Sequence, residues 1–163
     1  MGLDMYLYAD NYVSRKTNER IGDYEYATNP AFQNVLSVLN ATHLVDENDF
    51  TGMSVAIPVG YWRKANAIHA WIVDNCAGGV DECQRIYVSK DKAEELLANC
   101  KQVLADPSLA LELLPPQSGF FFGSTDIDEW YLEDLKHTVA IFEKVLSASK
   151  RGEVDSLIYQ ASW

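Results

Sequence analysis

The sequence has few basic residues and no long apolar run, and both absences restrict its partners. Lys and Arg number 13 against 24 Asp and Glu, which gives a formal net charge of −11. A chain with this charge is repelled by nucleic acid and by anionic membrane surfaces. No apolar run approaches the roughly 20 residues of a membrane helix, and the N-terminus lacks the basic and apolar regions of a signal peptide. We therefore expect a cytoplasmic protein that binds neither membranes nor nucleic acid directly.

Cysteine is also scarce, and its spacing is not typical of a metal site. Cys76, Cys83 and Cys100 form no Cys-x-x-Cys pair of the kind that structural zinc sites use, even when His69 is added to the set. Cys76 and Cys100 fall on the apolar faces of predicted helices, where a thiol packs as a small hydrophobic group. An odd number of cysteines without an export signal indicates reduced thiols. We expect no metal and no cofactor.

Motifs for nucleotide hydrolysis and for nucleophilic catalysis are missing. The chain contains neither a Gly-Lys-Ser/Thr phosphate loop nor a Gly-x-Gly-x-x-Gly turn. Ser124 could be paired formally with His69, but no Gly-x-Ser-x-Gly elbow surrounds it. A hydrolase or transferase acting on a nucleotide remains an alternative. The sequence itself assigns no catalytic residue and favours binding without turnover.

Strand and helix patterns alternate along the 163 residues, which is enough chain to bury a sizeable core in one domain, 1–163. Strands are predicted at 3–8, 53–59, 85–88, 119–123 and 154–161, and Pro58 indicates that the second lies at a sheet edge or that Pro58 stands at a strand end. Helices are predicted from Pro30, at 61–75, from the cap Ser89 and at 125–149, with a short helical piece after Asp106. Residues 10–29 are predicted as a surface loop. The pattern indicates an α+β or α/β protein with a mixed sheet of about five strands and about four main helices.

The predicted helix at 61–75 has two cations, Arg63 and Lys64, in its first turn. The start of a helix carries a partial positive charge, so a cation there costs roughly 0.3–1 kcal/mol. The other long helix follows the usual rule, because Asp126 and Asp128 lie at its predicted start. An anion bound at the helix start would explain the exception. The sequence therefore predicts a ligand with a phosphate or similar group.

The residues around these cations complete a candidate binding site. Trp62 offers a face on which a planar group can stack, and Asn66 and His69 lie on the same helical stripe and can hydrogen-bond it. Arg63 and Lys64 would hold the phosphate. The alternative is structural: Asn66 and His69 would satisfy buried backbone groups, while the two cations would pair with carboxylates at the start of the 125–149 helix, Asp128 or Glu129.

The chain ends on an aromatic residue, in the sequence Tyr159-Gln160-Ala161-Ser162-Trp163. Chain termini are usually poorly ordered unless they are tied down. We therefore expect Trp163 to pack against the fold or against a second subunit, with the 154–161 strand paired in the sheet. If this strand ends near Trp62, Gln160 and Trp163 add an amide and a ring to the same site.

Acidic clusters allow a different function. Asp46, Glu47 and Asp49 form one cluster, and residues 126–134 form another. Such clusters can imitate a phosphate backbone, or they can bind a basic protein surface. The alternative to ligand capture is therefore an acidic inhibitor, or a nucleic-acid mimic, that occupies a host protein.

Several motifs occur together in this chain and carry a resemblance. They are Gly2-Leu3-Asp4-Met5-Tyr6-Leu7, Tyr61-Trp62-Arg63-Lys64-Ala65-Asn66 with His69, Gly119-Phe120-Phe121-Phe122-Gly123-Ser124, and the terminal Tyr159-Gln160-Ala161-Ser162-Trp163. With these motifs the chain resembles, nearly end to end, a family of short uncharacterised proteins encoded by bacteriophages and prophages. The resemblance implies a role inside an infected bacterium. Small accessory proteins of this kind often blunt host defence by sequestering a signalling nucleotide or by blocking a defence protein.

Overall fold

The computed structural model describes residues 2–46 and 51–163, so Glu47 and Asp49 of the first acidic cluster lie outside the described residues. The strands are β1 (Asp4–Ser14), β2 (Lys16–Arg20), β3 (Tyr26–Thr28), β4 (Gly52–Arg63), β5 (Ile86–Val88) and β6 (Ser156–Ser162). The helices are α1 (Pro30–Val38), α2 (Asn66–Cys76), α3 (Lys90–Ala105), α4 (Ala110–Leu113) and α5 (Glu129–Lys150), with single 3₁₀ turns at Thr42–Leu44 and Pro107–Leu109. The predicted α+β class is confirmed.

The described residues cluster into two compact units. Met1–Asp10 and Ile57–Trp163 form the larger unit, and Asn11–Ala56 forms the smaller one. All the predicted site residues belong to the larger unit. The assignment of 1–163 to one domain stays a prediction.

The sheet of the larger unit has the strand order β4-β1-β6-β5 and is antiparallel rather than mixed. β6 lies between β1 and β5, with Leu7 and Ile86 both opposite Tyr159. The predicted C-terminal strand is therefore confirmed and occupies an interior position. β4, which contains Pro58, is an edge strand as predicted, since an edge tolerates the missing proline amide.

One face of this sheet packs against helices. Alternate residues of the strands are buried, as period-two patterning requires: Met5, Leu7, Ala9, Trp62, Ile86, Val88, Leu157, Tyr159 and Ala161. α3 begins after Ser89, whose hydroxyl accepts from the Lys92 amide, as the sequence predicts. α3 and α5 pack together and place Leu96 and Phe142 in the same core.

The predicted strand at 119–123 is wrong. The amide of Phe122 donates to the carbonyl of Gly119 at 3.2 Å, so the segment makes a turn. A Cβ at Gly119 would lie 2.7 Å from the Phe122 ring, which requires glycine at this close approach. Phe120 is 95% exposed while Phe122 is buried. The three phenylalanines therefore do not form the buried run that their sequence suggested.

α5 also begins later than predicted. Asp128, not Thr125, is its N-cap, and its carboxylate accepts from the Tyr131 amide at 3.0 Å. Ser124 and Asp126 form a separate turn before the helix, in which the serine hydroxyl donates to the carboxylate at 2.8 Å. The helix therefore begins at Glu129 and not at residue 125.

The smaller unit corrects the loop predicted at 10–29. β1 continues to Ser14, and β2 pairs with β3 in an antiparallel ribbon with Lys16 opposite Thr28. The ribbon is polar and largely exposed, so it lacks the apolar alternation by which a strand is recognised in a sequence. α1 begins at Pro30 after the cap Asn29, as predicted.

Candidate ligand-binding site

A cavity of about 300 Å³ opens at the start of α2, inside the larger unit. Residues 63–68 form one side, and residues between 123 and 135 form the other. Three residues of the predicted site, Arg63, Lys64 and Asn66, line this cavity. The opposite side adds carboxylates and aromatic rings that the sequence did not assign to a site.

Arg63 and Lys64 reach the cavity from the end of a strand and not from a helix. β4 ends at Arg63, and α2 begins only at Asn66. The prediction of a helix beginning at residue 61 is wrong, because the strand continues through Trp62 with its ring on the buried face. Neither cation forms an ion pair with any residue that the structure describes, so the predicted alternative of pairing with Asp128 or Glu129 is not found there.

The backbone at Lys64 fixes where its side chain begins. Lys64 has a left-handed φ of 63°, and its amide donates to the Leu3 carbonyl at 2.8 Å. Gly123, with a φ of 89°, approaches so closely that a Cβ there would lie 3.3 Å from the Cβ of Lys64. A left-handed conformation costs a non-glycine residue roughly 1–3 kcal/mol. Lys64 therefore has a backbone conformation that glycine would adopt without strain.

The first turn of α2 has no side-chain cap. Its N-cap is Ala65, which has no side-chain oxygen, and no acidic residue lies in the first turn. Ala67 and Ile68, the next residues of this turn, line the cavity. The partial positive charge of the helix start is therefore directed into the same space as the two unpaired cations.

Asn66 is buried and connects the two sides of the cavity. Its Nδ2 donates to the carbonyls of Phe122 and Ser124 at 3.0 and 2.8 Å, and its Oδ1 accepts from the Gln117 amide at 3.0 Å. Both N–H groups of the amide are used by the backbone. Asn66 therefore holds the 117–124 segment in place beside α2, as the structural alternative anticipated, and does not offer its donors to a ligand.

His69 lies deeper in the core and does not line the cavity. Its side chain is 1% exposed; Nε2 lies 3.0 Å from Oδ2 of Asp81, and Nδ1 lies 2.7 Å from the hydroxyl of Tyr159. Because a carboxylate only accepts, Nε2 carries a proton, and in the neutral imidazole Nδ1 then accepts from the tyrosine. Both ring nitrogens are occupied by side chains. The expected role in ligand binding does not fit this geometry.

Trp62 is also enclosed. It is 2% exposed, and its indole Nε1 donates to Oγ1 of Thr138 at 2.9 Å. The sequence placed Trp62 on a helix beside Asn66, whereas it belongs to β4 and its ring packs near Phe142. A ligand in the cavity therefore cannot stack on it.

Gln160 and Trp163 connect the last strand to the segment after α2. Gln160 donates through Nε2 to the Cys83 carbonyl at 3.2 Å, and Trp163 donates through Nε1 to Oδ1 of Asp81 at 3.3 Å. The Trp163 ring lies 6.3 Å from the Phe122 ring, edge to face. The expected packing of Trp163 against the fold is observed, but neither residue lines the cavity.

Three carboxylates line the side of the cavity formed by residues 123–135. Asp126 accepts from Ser124, and Asp128 caps α5. Asp134 is half-buried, and its carboxylate accepts no hydrogen bond from any described residue. Burial is the main reason why the pKa of Asp134 is raised to about 6; His137 opposes the shift, while Asp128 and Glu133 add to it. In the sequence, the position of Asp134 between Tyr131 and Leu135, which are both buried, was the signal that its side chain would be partly buried.

Two aromatic residues, Trp130 and Tyr131, complete the side of the cavity formed by residues 123–135. Trp130 lines the cavity and is 80% exposed, so its ring is free to stack on a planar group. Tyr131 is buried, and its hydroxyl donates to the Leu114 carbonyl at 2.9 Å. Trp130, and not Trp62, is therefore the tryptophan whose ring is exposed at the cavity.

Among the described residues, no serine or cysteine forms a hydrogen bond with a histidine. The Ser124 hydroxyl is engaged with Asp126, and His69 is engaged with Asp81 and Tyr159. Burial raises the pKa of the Cys100 thiol to about 12, which makes it a packing group and not a nucleophile. Within residues 2–46 and 51–163 no group of three His, Cys, Asp or Glu side chains could hold a metal ion.

Comparison with known proteins gives no further assignment. No family model, curated protein or solved structure matches this chain significantly. In the described part of the chain, no helix has both the length and the apolar character needed to cross a membrane.

Proposed function

We propose that this protein captures, without turnover, a small anionic ligand that carries a planar base. The observation that carries the proposal is the position of Arg63 and Lys64. They line one cavity together with the uncapped first turn of α2, and neither has an ion-pair partner among the described residues. In a chain with a net charge of −11, two cations left unpaired in one cavity favour an anionic ligand.

The opposite side supports a planar group on the same ligand. Trp130 exposes most of its ring at the cavity, and stacking of a base on an aromatic ring contributes roughly 1–3 kcal/mol. A nucleotide combines the two features, since its phosphate can meet the cations while its base meets the ring. The lack of a serine–histidine or cysteine–histidine pair among the described residues favours capture over reaction.

We also propose where in the cell the ligand is captured. The resemblance to bacteriophage and prophage proteins supports a role in the cytosol of an infected bacterium. A binder of this kind would act by sequestering a signalling nucleotide that a host defence needs. An oligomeric form remains compatible with this role.

The proposal is tested by titration calorimetry of the full chain with nucleoside monophosphates, alongside the variants Arg63→Ala and Arg63→Lys. Arg63→Ala should weaken binding at least about 10-fold, because a charged hydrogen bond to phosphate contributes roughly 1.5–3 kcal/mol. Arg63→Lys should also weaken binding, because the planar fork is lost while the charge is kept. Arg151→Ala is the matched control: this exposed arginine pairs with Glu153 at the end of α5 and should have no effect. Absence of binding to every nucleotide at millimolar concentration would overturn the proposal.

A second candidate function has its own observation. Phe120 is 95% exposed, in the turn that precedes the acidic start of α5. An exposed aromatic residue near carboxylates is suited to a basic protein surface, which corresponds to the acidic inhibitor considered from the sequence. Phe120→Ser should abolish binding to such a partner and leave nucleotide binding unchanged. If Phe120→Ser lost both partner binding and nucleotide binding, the turn would act only by shaping the cavity.

A further inference from the structure

The two sides of the cavity carry opposite charge. Arg63 and Lys64 lie on one side, whereas three carboxylates lie on the other. A ligand that presented only negative charge would be repelled by the carboxylates. The ligand must therefore present either a cation or a hydrogen-bond donor to the carboxylates.

Asp134 is the one carboxylate of the three that accepts no hydrogen bond from the described residues. Asp126 and Asp128 accept hydrogen bonds from Ser124 and from the Tyr131 amide, and both bonds shape the start of α5. The Asp134 carboxylate has no hydrogen-bond partner within the described residues, although the side chain is half-buried at the cavity. A ligand that covers this carboxylate must replace the donors that water supplies, because a covered carboxylate without donors is costly.

The backbone at Asp134 is held firmly. Its carbonyl accepts from Oγ1 of Thr138 at 2.7 Å, and Thr138 accepts in turn from the indole of Trp62 at 2.9 Å. Thr138 and Trp62 are both buried. The carboxylate therefore projects from a fixed turn of α5, and a fixed acceptor discriminates between ligands better than a mobile one.

We infer that the base of the captured nucleotide is guanine, with its two donors, N1–H and the exocyclic amine, directed at Asp134. This inference rests on the proposed function. A carboxylate has two acceptor oxygens and no donor, so it complements the adjacent donor pair of guanine in a bidentate contact. Adenine offers one donor beside an acceptor nitrogen on the same edge, and that acceptor would face the carboxylate oxygen. The phosphate of the same ligand lies toward Arg63 and Lys64, and Trp130 stacks on the base.

The test compares guanosine, inosine and adenosine monophosphates in titrations of the full chain. Guanosine monophosphate should bind at least about 10-fold more tightly than adenosine monophosphate, as expected for hydrogen bonds to a charged acceptor. Inosine monophosphate, which lacks the exocyclic amine, should fall between them. Asp134→Asn should lower the affinity for the guanine nucleotide about 10-fold and reduce the preference over adenine, since an amide presents one donor and one acceptor.

Glu133→Gln is the matched control, because Glu133 lies next in the chain but is exposed and pairs with Lys136. It should change neither affinity nor preference. Equal binding of the guanine and adenine nucleotides, with an affinity that still depends on Arg63, would overturn the guanine assignment and leave the proposed function standing. Unchanged guanine preference in Asp134→Asn, with an unaltered melting temperature, would overturn it as well. Absence of all nucleotide binding would overturn both.

Discussion

The imidazole of His69, which is 1% exposed, donates through Nε2 to Oδ2 of Asp81, 3.0 Å away. The other oxygen of the same carboxylate accepts from the indole of Trp163 at 3.3 Å. A single carboxylate thus joins α2 to the last residue of the chain. His69, which the sequence suggested for ligand binding, acts here as an anchor between secondary-structure elements.

Asp81→Ala should destabilise the protein by about 1–3 kcal/mol. The substitution leaves the buried Nε2–H of His69 without an acceptor, and the cost of an unsatisfied buried donor has this magnitude. Asp81→Asn should cost less, because its amide oxygen can still accept. Urea unfolding monitored by fluorescence provides the measurement. Glu82→Ala, which changes an exposed neighbour, is the control. Equal stability of Asp81→Ala and the parent chain would show that the contact contributes nothing.

Deletion of residues 159–163 should prevent folding. Residues 159–162 belong to β6, which pairs with β1 on one side and β5 on the other, and Tyr159 is completely buried. Trp163→Ala should have a much smaller effect, of about 1 kcal/mol, because its ring is 43% exposed and makes one hydrogen bond. Neither the ring nor its partner lines the cavity, so Trp163→Ala should keep full nucleotide affinity. Circular dichroism and calorimetry would check the two results. A folded truncated chain would contradict the interior position of β6.

The parts of the fold that the sequence predicted are those fixed by local signals. Ser89 followed by an apolar stripe at helical spacing located α3, and alternation located the first part of β1. The start of α2 was predicted too early because Tyr61, Ala65 and Ile68 fit a helical period. Trp62 is instead extended because β4 pairs with β1, and this long-range interaction cannot be recognised from local sequence. The cavity itself depends on such interactions.

The candidate site could be predicted only in part for the same reason. Arg63 and Lys64 stood out because of their charge, and both line the cavity. Asp134 and Trp130 did not stand out, since an acidic and aromatic helix face is ordinary in a sequence. Their importance comes from the approach of α5 to residues 63–68 across the chain, which no local pattern specifies.

Asn66→Ala should reduce stability and ligand affinity together. The substitution removes two donors and one acceptor from the backbone of Gln117, Phe122 and Ser124, and leaving these groups unsatisfied should cost about 2–4 kcal/mol. The 117–124 segment, which includes the cavity residues Gly123 and Ser124, would lose its fixed position. Asn75→Ala serves as a control, since Asn75 bonds only within α2. Thermal unfolding and titration together would check this, and loss of stability with full affinity would contradict the role of the segment in the cavity.

Lys64→Gly should weaken nucleotide binding without lowering stability. Glycine adopts the left-handed backbone of position 64 without strain, and this relief of about 1 kcal/mol offsets the added entropy of the unfolded chain. Lys64→Ala removes the same charge but keeps the strained conformation. The two variants should therefore lose affinity equally, and neither should melt markedly below the parent chain, because Lys64→Ala keeps a strain that the parent chain already has. Melting temperatures and titrations would separate the effects. If Lys64→Gly retained full affinity, Lys64 would have no part in binding the anion.

Asp134→Asn should raise the melting temperature at neutral pH while it lowers affinity for the guanine nucleotide. Burial raises the pKa of Asp134 from 3.8 to about 6, with His137 opposing and Asp128 and Glu133 supporting the shift. The folded protein therefore binds this proton more tightly than the unfolded chain does, so its contribution to stability is present at low pH. That contribution is lost as the pH rises from about 4 to about 6. Asparagine carries no charge at any pH, so the variant should gain stability over the parent chain at pH 7.5 but not at pH 4. Thermal unfolding at both pH values provides the check. Bound guanosine monophosphate should stabilise the parent chain more than Asp134→Asn, so it should narrow the difference between their melting temperatures at pH 7.5. A variant that melts below the parent chain at pH 7.5 in the absence of ligand would show that the carboxylate already has a stabilising partner within the protein.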